Sequence, residues 1–184
     1  MVPVLNQEPA PDEWKYHPFD LGECEDLENY EPGGFHPVHL GDVFDGRYHV
    51  AHKLGFGGFS TVWLSRDALK NCWAALKIVA ARESATCADR FATVSNNPNI
   101  AGSRLFAVPD RQFWVEGPNG QHLCLVLPVL GPDLSALSKG IYSRINPVFA
   151  RALSLQATQA LAHLHASGLC HGGESSRYCG KNGC

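Results

Sequence analysis

The sequence predicts an α+β chain: a small antiparallel sheet carrying one helix, followed by a mainly helical portion. Two patterns point there. Between residues 48 and 127, runs of β-branched and aromatic residues alternate with glycine-rich turn signals. From 147 to 167 the apolar residues recur at three- and four-residue steps. Composition permits a core, since 45% of the 184 residues are hydrophobic and 18% charged. A net charge of −3 argues against a basic footprint for nucleic acid. No apolar stretch approaches the ~18 residues of a membrane span, and Met1 to Pro11 lacks the basic flank and apolar centre of a signal peptide. A soluble, intracellular protein is expected, with no direct nucleic-acid or membrane partner.

Residues 1–29 are rich in proline and acid, and disorder is their default. Residues 30–47 form a turn-rich lead-in. Tyr48 to Leu54 and Phe59 to Arg66 read as strands joined through Gly55-Phe56-Gly57-Gly58, a hairpin. Trp73 to Val79 is a third strand, and Trp63 and Trp73 are expected to fill the sheet core. A helix over Glu83 to Val94 ends at Asn96-Asn97-Pro98. Phe113 to Glu116 and His122 to Leu127 flank Gly117-Pro118-Asn119-Gly120, a second hairpin. Pro147 suits a helix first turn, and Phe149, Leu153, Ala157, Ala160, Leu161 and Leu164 make one apolar face before Gly168 ends it.

The seven cysteines are scattered and odd in number, which does not suggest a disulfide framework. Cys72 and Cys124 sit among apolar neighbours and read as small core residues. Cys170, His171, Cys179 and Cys184 cluster near the end but lack the two-residue spacing of zinc knuckles and ribbons. His163, His165, Arg104, Arg111 and Arg144 read as packing or surface residues.

The informative constellation is Leu54, Gly55, Phe56, Gly57, Gly58, Phe59, Ser60, Thr61 and Val62, followed by Ala75 and Lys77. A G-x-G alone is weak, because glycines also serve ordinary turns. Here the loop runs strand to strand, whereas a Rossmann fingerprint and a Walker loop both run into a helix. Glycines let backbone N–H groups approach phosphate oxygens, and a lysine adds positive charge to them. Val62 stands where an apolar residue would cap a purine ring. Lys77 lies in an apolar strand, where an ammonium without a counter-charge is expensive to bury. A tight turn beside a lysine whose stem snorkels to water is the plainer alternative.

With these residues the sequence resembles the eukaryotic protein kinase domain. The pattern G-x-G-x-x-G-x-V maps onto Gly55, Gly57, Ser60 and Val62, with serine for the third glycine, and the Ala-x-Lys strand maps onto Ala75 and Lys77. The run from Leu54 to Leu64 looks most like the SR-protein kinases, which phosphorylate Ser/Arg-rich splicing factors. The lead-in from Tyr30 to Val38 resembles their fungal members. Leu123 to Leu134 resembles the last strand and hinge of the N-lobe, and Ala160 to Gly172 the helix entering the catalytic loop. The resemblance implies a kinase N-lobe with hinge over 48–132, the start of an α-helical C-lobe over 133–172, and an atypical tail over 173–184. It further implies ATP and Mg2+ as cofactors, a Ser/Arg-rich protein substrate, and a place in cytoplasm or nucleus.

Three departures bear on activity. Glu83 and Asp89 are the carboxylates available to pair with Lys77 in the helix that follows it, and neither matches the family pattern securely. The family's His-x-Asp reads His171-Gly172-Gly173, so the expected base position is Gly173, which cannot accept a proton; Glu174 is displaced by one. No catalytic-loop asparagine or Asp-Phe-Gly follows, and residues 173–184 resemble nothing in the family, as a retained intron, frameshift or gene-model artefact would. The expectation is an ATP-binding portion of a serine/threonine kinase that is inactive as this truncated chain, with no catalytic residue and no metal ligand assigned. Its 147–167 helix would be sticky along a face that later helices bury in a full kinase. Two alternatives are a non-catalytic pseudokinase binding nucleotide or a partner, and a non-functional fragment.

Overall fold

The computed structural model describes residues 24–97, 105–131 and 146–169. Six strands form one antiparallel sheet: β1 (Val43–Phe44), β2 (Tyr48–Gly57), β3 (Ser60–Asp67), β4 (Cys72–Val79), β5 (Arg111–Gly117) and β6 (Gly120–Leu127), in the order β1-β2-β3-β4-β6-β5. Helix α1 (Ala81–Ser95) joins β4 to β5, and α2 (Pro147–Ala166) follows the sheet. The expected α+β class is what forms.

Each connection has a local cause. The β2–β3 ladder continues through Gly55↔Val62, Phe56↔Thr61 and Gly57↔Ser60, so the turn is Gly58-Phe59 and not the whole Gly55–Gly58 stretch. The β3–β4 turn is held by the Asp67 carboxylate, which accepts from the amides of Leu69 (3.0 Å) and Lys70 (3.2 Å). The same carboxylate takes both Nε and Nη2 of Arg47 at 2.6 Å. Arg47 and these amides hold the Asp67 carboxyl well below the usual carboxylate range, against the opposing effect of burial. At α2, Asn146 caps by accepting from Val148 N at 2.9 Å, and Pro147 takes the first turn. Gly168 ends that helix with φ +73°, while Leu169 N reaches back to Leu164 O at 3.0 Å.

The sheet curls until strands at opposite ends of its order meet. The rings of Tyr48 and Phe113 stack in parallel 5.7 Å apart. Arg111, a surface charge as expected, reaches Asp45 at 2.5 Å and so makes a cross-sheet ion pair. Inside the curl lies one continuous core of Phe44, Tyr48, Val50, Trp63, Ala74, Leu76, Ile78, Cys124 and Val126. Trp63 and Cys124 are buried as expected, but Trp73 and Cys72 are exposed. Alternation along β4 puts Trp73 on the opposite face from Ala74. There it stacks against the Arg66 guanidinium at 5.3 Å.

The lead-in is not merely a run of turns. Phe35 and His36 are buried, and Val38 packs on the inner core. Asn119 Nδ2 donates to Phe35 O at 2.6 Å and Gly33 N to Asn119 O at 2.7 Å. Ala81 N and Arg82 N donate to Gly34 O (3.0 Å) and Gly33 O (2.8 Å), pinning the start of α1. Within the stretch expected to be disordered, residues 24–29 carry a short 3-10 turn over Leu27–Asn29. Glu25 is buried, accepts from Tyr30 OH at 2.6 Å and pairs with Lys53. Burial works to raise its carboxyl, yet the hydrogen bonds from Lys53 and Tyr30 outweigh it and hold the group below its ordinary value. Residues 1–23, including the rest of that acidic stretch, lie outside the described residues.

The imidazoles of His36 and His122 meet edge to face at 4.8 Å under this lead-in. His122 Nδ1 donates to Val79 O at 3.0 Å. Burial, then His122, push His36 down to about 4, with Asp42 opposing. No helix among the described residues is long and apolar enough to cross a membrane.

Candidate functional site

The outer face of the sheet carries two separate apolar clusters. Val62, Ala75 and Leu127 form one. Val79, Leu123 and Leu125 form the other, covered by Cys87, Ala88 and Phe91 of α1. These helix residues lie at three- and four-residue spacing, which gives α1 its sheet-facing stripe. Ser84 fixes the same stripe: its hydroxyl donates to Ala80 O (2.9 Å) and accepts from Leu123 N (2.9 Å).

Lys77 parts the two clusters. On β4 it stands two residues from Ala75 and two from Val79, and its cross-strand partners are Val62 and Leu125, one from each cluster. It is 7% exposed. A strand that alternates Ala75, Lys77, Val79 on one face is placing a cation where a continuous apolar row would otherwise run. Of the carboxylates considered as its partners, Glu83 is half-buried in the first turn of α1 and Asp89 is exposed.

The register sorts the remaining expected residues. Gly55, Gly57, Ser60 and Val62 occupy positions on the outer face with Ala75 and Lys77, whereas Phe56 and Thr61 occupy the inner one. Thr61 is fully buried and its Oγ1 accepts from Trp63 Nε1 at 3.0 Å, a role within the core. Leu54 forms a bulge between the Lys53↔Trp63 and Gly55↔Val62 pairs. Gly58 and Phe59 make the tip, and a β-carbon added to Gly58 would meet nothing within 4 Å. Phe59 projects into solvent, but its carbonyl accepts from Ala80 N at 2.8 Å, which ties the tip to the junction of β4 and α1.

Leu127 was not among the residues singled out from sequence. Its pairing with Ala75, set where β6 runs beside β4, is what brings it to Val62. An apolar patch with a cation next to it on β4 and glycines across β3 on β2 suits a ligand flat and apolar at one end and anionic at the other. Among the described residues no group of three His, Cys, Asp or Glu side chains could hold a metal ion. Pro128 and Val129 follow Leu127 outside any helix or strand. His171, Gly173, Glu174 and the cysteine cluster of the tail lie outside the described residues.

No protein-family model matches the chain. Curated proteins do. The chain is 39% identical over 153 residues to the serine/threonine-protein kinase spk-1 of Caenorhabditis elegans, covering 79% of this chain and 15% of that protein. It is 37% identical over 153 residues to human SRSF protein kinase 3, covering 79% and 27%. It is 35% identical over 153 residues to the serine/threonine-protein kinase SKY1 of Saccharomyces cerevisiae, covering 77% and 20%. The match thus spans about a quarter or less of the length of these relatives.

Proposed function

The chain belongs to the SR-protein-kinase-like serine/threonine protein kinases, and on that premise we propose that it binds ATP on the outer face of its sheet. The observation that carries this reading is the placement of Lys77 between two apolar clusters, beside the glycine hairpin. In the proposed complex the adenine lies against Val62, Ala75 and Leu127. Lys77 supplies charge to the phosphates, and backbone amides of the Leu54–Val62 hairpin approach them where glycine leaves room. The residues present fit such a ligand in chemistry. Kinases of this kind use Mg2+ with ATP, and the reading assigns the metal to none of the described residues.

For the complete kinase, the reaction we propose is transfer of the ATP γ-phosphate to serine or threonine of a Ser/Arg-rich protein, inside the cell in cytoplasm or nucleus. For residues 1–184 alone we propose binding without transfer at family rates. The family's proton-accepting carboxylate falls at Gly173, and a positioned base contributes about 10²–10⁴-fold. That loss favours, as a second reading, a non-catalytic module that binds nucleotide or a protein partner.

Thermal unfolding with and without ATP tests the binding. At a ligand concentration 100 times Kd the expected stabilisation is about 2.7 kcal/mol. Lys77→Met should remove that shift while leaving the unliganded melting transition in place. A chain that melts identically with and without ATP overturns the reading. Radiolabelled phosphate on an Arg/Ser-rich peptide would overturn the claim that residues 1–184 do not transfer it.

A further inference from the structure

The lead-in touches two places that the nucleotide reading needs held. At one end, Gly33 and Gly34 carbonyls accept the first amides of α1. At the other, Glu25 grips Lys53, the last regularly paired residue of β2 before the Leu54 bulge and the glycine hairpin. Between them the segment is braced internally. Phe35 N donates to Asn29 O at 2.7 Å, Tyr30 OH donates to Glu25, and the Tyr30 and Phe35 rings meet edge to face at 5.7 Å.

Lys53 is well prepared to transmit that grip. Its ammonium lies 5.3 Å from the centre of the Trp63 ring, and Trp63 is its cross-strand partner on β3. The pair is therefore fixed to both strands of the hairpin. Glu25 is 7% exposed, and its Oε2 is buried without a hydrogen-bond partner. Solvated surface ion pairs contribute little, but here the carboxylate half is buried while Lys53 keeps about a third of its side chain in water, and a charge-assisted bond to a buried carboxylate resists exchange with water. A bulge is a natural pivot, and beyond it the ribbon ends in a two-residue turn whose tip is held by Ala80 N on Phe59 O. Glu25 fixes the near end of that ribbon.

We propose that Glu25 is a positioning residue for the nucleotide site: through Lys53 it anchors the root of the glycine hairpin to the same segment that pins the start of α1. The proposal rests on the ATP reading above for its consequence, though not for its mechanical part. Segment 25–35 becomes a clamp whose release frees the hairpin without dissolving the sheet.

The test uses the full 184-residue chain and reads two quantities. Amide hydrogen exchange is followed at residues 54–62, at Ala81 and Arg82, and in β6, without nucleotide. ATP affinity is measured in parallel. Glu25→Gln and Lys53→Met should each speed exchange in 54–62 by about tenfold, the worth of one charge-assisted bond. Exchange at Ala81, Arg82 and β6 should stay unchanged, and ATP affinity should fall about tenfold. Lys53→Arg, which keeps the charge, should stay within about twofold of the parent in both. Exchange that rises equally across the sheet, or not at all in the hairpin, overturns the clamp; so does unchanged ATP affinity with a loosened hairpin. If the parent chain fails to bind ATP, the nucleotide reading falls and the positioning role with it, while the exchange contrast still decides whether Glu25 clamps the hairpin.

Discussion

The two faces of the sheet are made from the same strands yet are built differently. On the inner face, nine buried residues from five strands join in one core, and Phe113 and Val115 of the sixth pack against it. On the outer face, burial is divided into three residues and three residues, with Lys77 between them. Alternation gives every strand one side of each kind. A sheet can therefore keep its stability on one side while the other gives up continuous packing for a charged position. The inner face should answer mainly to stability measurements and the outer face to ligand measurements.

The largest expected effect lies inside. Leu76→Ala removes a fully buried side chain from the middle of the core and should cost about 2–5 kcal/mol in urea denaturation, with no selective loss of the ATP-dependent shift. A smaller cost there than for outer-face truncations would break the comparison. Next comes the histidine pair that lies between lead-in and core. The folded pKa of His36 is depressed below the unfolded 6.5 to about 4. The unfolded chain therefore takes up a proton first, and stability should fall as pH drops through that window, with a slope of at most about 1.4 kcal/mol per pH unit for one group. His36→Leu should make that part of the profile shallower in pH-dependent denaturation, leaving the share of His122, whose pKa burial also lowers.

Val62→Ala, on the outer face, should cost only about 1–2 kcal/mol, since its cluster has three members. It should nevertheless weaken ATP binding, as seen by titration calorimetry. Equal losses for Val62→Ala and Leu76→Ala, with binding intact, would erase the distinction between the faces. The smallest effect belongs to Trp73→Ala, where an exposed stacking on Arg66 should be worth about 0.5–1 kcal/mol by thermal melting.

What the sequence made legible was local. The alternating runs between 48 and 127, the glycine turns and the α1 and α2 patterns all appear close to their expected places, because each is set by neighbours a few residues away. Gly55, Gly57, Ser60 and Val62 share one face because the two-residue hairpin sets the β2–β3 register, and the β3–β4 pairing of Val62 with Lys77 adds the lysine to it. What stayed illegible depends on distant partners. Trp73 and Trp63 look alike as residues in strands, and only the inter-strand register separates the buried one from the exposed one. Glu25 belongs to an acidic run that reads as solvated, but its partner Lys53 lies 28 residues away. Leu127 joins Val62 and Ala75 only after β6, made last of the six strands, inserts between β4 and β5.

The bond from Asn119 to Phe35 joins residues 84 apart in the chain. A polypeptide emerging from its N-terminus has no acceptor-donor pair there until the β5–β6 turn has been made. Until then the greasy interior of the curl lacks its last cover, and a nascent chain stalled before residue 119 would present that surface to whatever meets it first. Closure of the curl thus waits on synthesis, with Phe35 among the last of the described residues to find its partner.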